Sequence, residues 1–251
     1  MSMLGNILFF TFLASIVSLF LVAILLLHKT LIHKTSFLLV SFAAGALLAT
    51  GFLDTLKEAV GLAGADVFLW TTISFAMFFL VERLFVSLHR HADEDSLDTG
   101  EEIKVPTPFL MFGDGLHNFI DGMSIAAGFL VSFQLGLITS VAVFIHEIPH
   151  ELGDFGILIH KGWSRAGVLW INAATGATSI LGAILAFYFG KQFNNLVPII
   201  LSITTANFIY LSATGLLPEI HHKAKKSFAV KYTASFFLGI AMIAVLIKIL
   251  G

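Results

Sequence analysis

The sequence predicts an all-α, polytopic membrane protein of eight transmembrane helices with both termini facing outward. Composition, the lengths of the apolar runs and the placement of Lys and Arg carry that reading. Of 251 residues, 57% are hydrophobic and only 12% are charged, against about 25% charged in an ordinary soluble domain. Mean hydropathy is +0.94. With 14 Lys and Arg and 16 Asp and Glu, the chain cannot coat a soluble body of its own length. Eight spans of roughly 20–25 residues account for most of it. A soluble enzyme, a disordered chain and a large extracellular domain are therefore excluded. The formal net charge of −2, with no basic domain, argues against a nucleic-acid partner. With no cysteine, any metal site draws on His, carboxylate, amide or water.

Apolar windows bounded by charge or Gly/Pro clusters put the spans at roughly 4–27, 35–58, 66–89, 107–131, 135–160, 166–190, 196–217 and 228–250. The run from Leu4 to Leu27 has no basic residue before it and is too long for a signal-peptide core, so it is expected to be an uncleaved first span. The chain reads as one transmembrane domain over 1–251. Its one long polar stretch, 89–106, carries Asp93, Glu94, Asp95, Asp98, Glu101 and Glu102, an acidic loop between spans 3 and 4. Basic residues sort the loops. Lys29 and Lys34 follow span 1, Arg90 and Lys104 follow span 3, and Lys161 and Arg165 follow span 5. Lys223, Lys225, Lys226 and Lys231 follow span 7, whereas the alternate loops and the C-terminus offer only Lys57, Lys191 and Lys248. The positive-inside rule then makes the loops after odd-numbered spans, the acidic one included, cytoplasmic.

Spans 4 and 5 hold charges that a membrane should exclude. Span 4 contains His117, Asn118 and Asp121; span 5 contains His146, Glu147, Pro149, His150, Glu151 and Asp154. One acidic side chain at the bilayer centre costs at least about 2.5 kcal/mol, so several together need a partner. His117 lies about 15 Å in from the cytoplasmic side and His146 roughly 16 Å in from the outside, so the clusters meet near the midplane. His117 and Asp121 share a helix face, with Asn118 about 100° round. His146, His150 and Asp154 form a stripe on span 5, with Glu147 and Glu151 beside it. Pro149 cannot donate to the carbonyl of Ile145 and is expected to kink the helix. Two imidazoles and a carboxylate in a small volume suit zinc or another borderline divalent ion.

Blander readings stand beside this one. The clusters could be interhelical hydrogen-bond glue, but glue needs one or two polar groups rather than eight. Asn172, Asn207, Thr204 and Thr205 on spans 6 and 7 read as packing or hydrogen-bonding residues. Asp154 could cap the helix or line the pathway, and Gly122, Gly128, Gly153 and Gly156 are expected to permit close helix contact. His146-Glu147-Ile148-Pro149-His150 also fits H-E-x-x-H, so an intramembrane zinc metalloprotease is the alternative from another class. Against it, proline disturbs the helix, and the first cluster adds ligands where a catalytic zinc needs an open position. A metal sensor that binds without flux is a third reading.

At these motifs the chain resembles the ZIP family of divalent metal transporters. H-N-x-x-D-G on span 4 and H-E-x-P-H-E-x-G-D on span 5 are similar to the branch with the H-E-x-P-H-E signature. Weaker likeness covers Ser41 to Ala59, Phe79 to Leu84 and Leu216 to Ile220. The resemblance implies an inverted-repeat bundle with a midplane metal site between helices 4 and 5. His117, Asp121, His146 and His150 would hold the primary ion, while Asn118 and Glu147 border a second position. Binuclear members carry a further acid on span 6, which Thr175 to Ser179 lacks, so a single transported ion is expected. Asp54 and Glu58, by the topology above, sit near the outer mouth and either attract cations or form an ordinary solvated helix end. On the inner side His89, His91, His160, His221 and His222 would receive the ion, with Asp154 on the pathway and Glu219 as exit ligand. The resemblance further implies zinc as cargo, with Fe2+, Mn2+ and Cd2+ as other candidates. It implies uptake into the cytoplasm across the cell membrane by alternating access with a sliding, elevator-like motion, and a homodimer.

Overall fold

The computed structural model describes residues 2–25, 29–92, 107–193, 195–218, 220 and 229–250; side chains are described for all of these except 25, 29–36, 85–92, 107, 109, 110 and 160. Among the described residues the chain forms eight helical rods and no strand. They are α1 (3–25), α2 (29–63), α3 (Asp66–Ala92), α4 (Thr107–Val131), α5 (Phe133–His160), α6 (Arg165–Gln192), α7 (Leu196–Leu216) and α8 (Ala229–Leu250). Six of them, α1, α2, α3, α6, α7 and α8, contain stretches long and apolar enough to cross a membrane. The other two, α4 and α5, are 25 and 28 residues long and carry the polar clusters. The acidic loop begins later than its sequence boundary, because α3 runs on through Ala92; residues 93–106 lie outside the described set.

Local chemistry explains the joints. Gly64 and Gly162 take φ of 63° and 85° just past the ends of α2 and α5, conformations that favour glycine. Ser164 caps α6 by accepting from the Gly167 amide at 3.1 Å. The α4–α5 joint is tightest: Ser132 alone separates the helices and accepts from the Leu135 amide at 3.1 Å. A one-residue joint makes the two helices an antiparallel hairpin, so residues equally far from Ser132 lie at one level. Three rods carry π-helical turns, at Leu13–Val17 in α1, Thr50–Thr55 in α2 and Leu211–Leu216 in α7. Pro149 lies inside α5, which continues as helix on both sides of it.

The pairing of the rods has an internal order. α2 packs on α8 and α3 on α7; α4 packs on α6 and α5 on α1; α2 meets α5 and α7 meets α4. Exchanging α1, α2, α3 for α6, α7, α8, and α4 for α5, maps this scheme onto itself. Exchanged rods are five apart in the chain, or one apart for α4 and α5; both are odd numbers, so in an alternating bundle they run in opposite directions, as an inverted repeat requires. The α4–α6 and α2–α8 crossings are the closest. A Cβ on Gly122 would strike the Ser179 carbonyl and one on Gly182 the Phe119 carbonyl, with Gly45 against Phe236 and Gly239 against Phe42 doing the same on the other pair. Gly128 meets Gly136 across the α4–α5 joint, as expected of a contact glycine. Gly153 and Gly156 do not serve that purpose: nothing lies within 4 Å of a Cβ built on either.

Apolar clusters sit above and below the centre. One gathers Ile125, Phe129, Leu135, Ala142 and Phe208 on the side of the α4–α5 joint. Another gathers Val22, Met111, Ile148, Phe155, Leu158 and Val168 toward the opposite side. Large apolar side chains cover the outside, Phe20, Leu69, Phe237 and Ile249 among them, as a lipid-facing surface requires. Glu82, exposed on α3, accepts a hydrogen bond from the Tyr210 hydroxyl.

Candidate metal centre

Between those apolar clusters the hairpin sets polar side chains at two levels. His117 and Glu147 are each 15 residues from Ser132, and Asn118 and His146 each 14. Asp114 and His150 are each 18 away. Each level collects its own donors.

The first level unites His117 and Asp121 of α4 with His146 and Glu147 of α5. His117 Nε2 lies 3.1 Å from His146 Nε2, 3.5 Å from Asp121 Oδ2 and 3.6 Å from Glu147 Oε1. His146 Nε2 lies 2.9 Å from Asp121 Oδ2 and 3.7 Å from Glu147 Oε1. Four ligands at 2.0–2.1 Å around a tetrahedral ion stand about 3.4 Å apart, and these separations bracket that value. Two ionised carboxylates and two neutral imidazoles also balance a 2+ charge. Asp121, His146 and Glu147 are all buried, where unbalanced charge is most costly.

Surrounding groups orient these donors. The Ala142 carbonyl lies 3.0 Å from His146 Nδ1. A hydrogen on Nδ1 donates there and leaves the Nε2 lone pair facing the cluster. Asn207 of α7 donates through Nδ2 to Asp121 Oδ1 at 3.4 Å. Asn207 thus hydrogen-bonds, one of the two roles expected of it, but nothing in the chain's spacing ties α7 to Asp121 in particular. Thr204 and Thr205 do form helix-to-helix hydrogen bonds, to Ser124 at 2.7 Å and with Thr55 at 2.8 Å. Neither Glu147 oxygen has a hydrogen-bond partner among the described residues, which suits a carboxylate that serves as a ligand.

His150 stands elsewhere. Its Nδ1 faces Asp114 Oδ1 at 3.6 Å and Asp154 Oδ2 at 3.8 Å, and these three form the second group. Its ring still lies 4.8 Å from that of His117, so it borders both levels. Asp114 was not singled out in the sequence, although its distance from Ser132, equal to that of His150, marks it. Asn118 does not enter either group; its Nδ2 donates to Asp114 Oδ1 at 2.9 Å and to the Asp114 carbonyl at 3.2 Å. Glu151 is buried beside Asn172, with Glu147, Asp114 and Asp154 as charged neighbours. An H-E-x-x-H protease would need His146 and His150 on one ion with Glu147 held off it. Here Glu147 stands among the donors and His150 turns to other carboxylates.

Asp54 and Glu58 belong to neither group. Asp54 is only 6% exposed, inside the π-helical turn of α2, so it is not a solvated helix end. Glu58 is half-buried and pairs with Lys57 at 3.8 Å. His160 ends α5, with its side chain outside the described set, as are those of His89 and His91. Glu219, His221 and His222 lie outside the described residues altogether.

Comparison with known proteins gives the arrangement a context. A family model described as ZIP Zinc transporter matches residues 86–247, well over half of the chain and the whole of the α4–α5 hairpin. The chain is similar to zinc transporter foi of Drosophila melanogaster, 40% identical over 49% of this chain and 17% of that protein. It is also similar to two zinc transporters of Homo sapiens. ZIP6 is 34% identical over 60% of this chain and 20% of its own length. ZIP4 is 38% identical over 47% and 18%. The matches therefore span a fifth or less of the length of these curated relatives.

Proposed function

The chain belongs to the ZIP zinc transporter family, and from that premise we propose that it carries divalent metal ions, zinc foremost, across a membrane. The observation that carries the reading is the four-donor set His117, Asp121, His146 and Glu147, spaced for a tetrahedral 2+ ion at the middle of the bundle. Its relatives are named zinc transporters, and mixed nitrogen and oxygen donors suit zinc while admitting Fe2+, Mn2+ and Cd2+. All eight helices cross the membrane in this reading, with the buried acids of α4 and α5 turned inward among the apolar six. The Lys and Arg bias supports both termini outside; the family resemblance is what supports inward movement to the cytoplasm across a cell membrane. The internal repeat supports alternating access about a central site. Asp54 and Glu58 serve the outer mouth. Asp154, His160, Glu219, His221 and His222 serve the exit, and the unit is a homodimer.

The test is zinc uptake into proteoliposomes holding the purified protein. His146→Ala and Asp121→Asn abolish uptake, and His150→Ala slows it. Uptake unchanged by all three would sink the assignment. Peptide cleavage that depends on Glu147 would favour the protease, and stoichiometric binding without uptake a sensor.

A further inference from the structure

We propose that the π-helical turns of α2 and α7 are a matched pair of shifting joints, and that the α7 turn moves three residues along its rod each time the protein changes the side to which it opens. The proposal rests on the transport reading and supplies it with a local step.

The two turns are each six residues long, Thr50–Thr55 and Leu211–Leu216. The internal order of the bundle exchanges α2 with α7, and their sequences keep a trace of it. Ala49-Thr50-Gly51-Phe52 on α2 is matched by Ala213-Thr214-Gly215-Leu216 on α7. The equivalent threonines make the same bond, each to the carbonyl four residues back. Thr50 Oγ1 donates to the Ala46 carbonyl at 2.9 Å and Thr214 Oγ1 to the Tyr210 carbonyl at 2.8 Å. The π turns break this match. Thr50 is the first residue of its turn, whereas Thr214 is the fourth of its own. The α7 turn therefore stands three residues early against the shared motif, close to one helical turn. Inverted repeats that hold one motif in two registers are in one facing, and exchanging the registers gives the other. In that second state the α7 turn lies three residues further on and the α2 turn three residues earlier. Helix continues past the α7 turn through Leu217 and Pro218. Pro218 has no amide to give the Thr214 carbonyl, which leaves room for the turn to shift into.

A π turn winds extra chain into a helix and marks functional places in many of them. It passes along a rod without breaking it, and each residue it passes turns by about 100° and advances about 1.5 Å. Both turns face the seam between α2 and α7. Thr55, which closes the α2 turn, meets Thr205 at 2.8 Å and donates to the Gly51 and Thr50 carbonyls at 3.2 and 3.4 Å. Ser212, inside the α7 turn, donates to the Ala44 carbonyl at 2.9 Å. A Cβ on Gly51 would come within 3.1 Å of the Ile209 side chain, so glycine keeps the seam clear for movement. Ser212 is among the residues that the moving turn passes, so its bond to α2 belongs to one facing only. Ala213, exposed in this state, swings toward the seam in the other.

Deletion of Ala213 removes the extra residue and tests the proposal, because α7 then closes into uninterrupted α-helix. Equilibrium dialysis with zinc should find wild-type affinity, since no donor of the His117 group is touched. Uptake into proteoliposomes should fall at least about tenfold. Zinc uptake at the wild-type rate would overturn the proposal and leave the transport reading intact. A spin label on Ala213→Cys, in a chain with no other cysteine, needs no deletion to fold. Two label environments whose ratio changes between saturating zinc and chelator support the proposal, with a label on Phe237→Cys, exposed on α8, unchanged. A single environment at 213 in both conditions, in labelled protein that still takes up zinc, overturns it. No uptake by the wild type would overturn the transport reading and this proposal with it.

Discussion

Asn207 on α7 donates to Asp121 Oδ1 at 3.4 Å while Asp121 Oδ2 faces His146 Nε2 at 2.9 Å. One carboxylate is thus shared between a donor that aims it and the cluster it serves. Removing such an outer partner generally weakens metal binding about 10–100-fold. Asn207→Ala is accordingly expected to raise the half-saturating zinc concentration for uptake by that factor without abolishing uptake at saturation.

Bound metal should stabilise the fold, because the unfolded chain lacks the assembled donors. At a free concentration 100 times Kd the gain is about 2.7 kcal/mol. Thermal melting in detergent should show a rise in Tm on adding zinc and its reversal by chelator. Asp121→Asn should show a smaller zinc-dependent rise in Tm than the wild type, since it halves the negative charge of the first group.

The α4–α6 crossing should tolerate no side chain at Gly122 or Gly182. A Cβ there meets carbonyl backbone rather than a movable side chain. Overpacking of this kind costs about 1–3 kcal/mol, so Gly122→Ala is expected to lower Tm, whereas Gly153→Ala, which meets nothing within 4 Å, should leave it unchanged or higher.

The absence of cysteine permits a clean test of orientation. A lone cysteine at Ala65, in the exposed α2–α3 turn, should react with an impermeant maleimide on intact cells. One at Arg165, at the start of α6, should react only after the membrane is opened. The reverse pattern would invert the topology.

Much of the architecture was legible because lipid imposes a coarse rule: apolar runs long enough to span, broken by charge. Most rods follow the expected boundaries within three residues; α2 runs over 29–63 against the expected 35–58, and α3 to Ala92, because helix does not stop where polarity begins. His117, Asp121, His146 and Glu147 could be singled out because charge in an apolar span is conspicuous. Which donors share a level was harder to read. Helical spacing relates residues within one helix, so it put His146, His150 and Asp154 on one stripe; contacts across the hairpin depend on its joint. Once Ser132 is known to be the only residue between α4 and α5, Asp114 falls opposite His150. Asn207 and the π-helical turns arise from packing against other helices, and no local pattern announces them.

The reciprocal glycine contacts of α4 with α6 and α2 with α8 have a mechanical consequence. Rods whose backbones touch behave as welded beams, since sliding one along the other would drive a carbonyl into a Cα. The seams that join α2 to α7 and α4 to α7 run instead through hydroxyl pairs such as Thr55 with Thr205 and Ser124 with Thr204, which can be remade one turn further along. A stroke that carried His117 and Asp121 would therefore be expected to haul α6 with it, and to slip along α7.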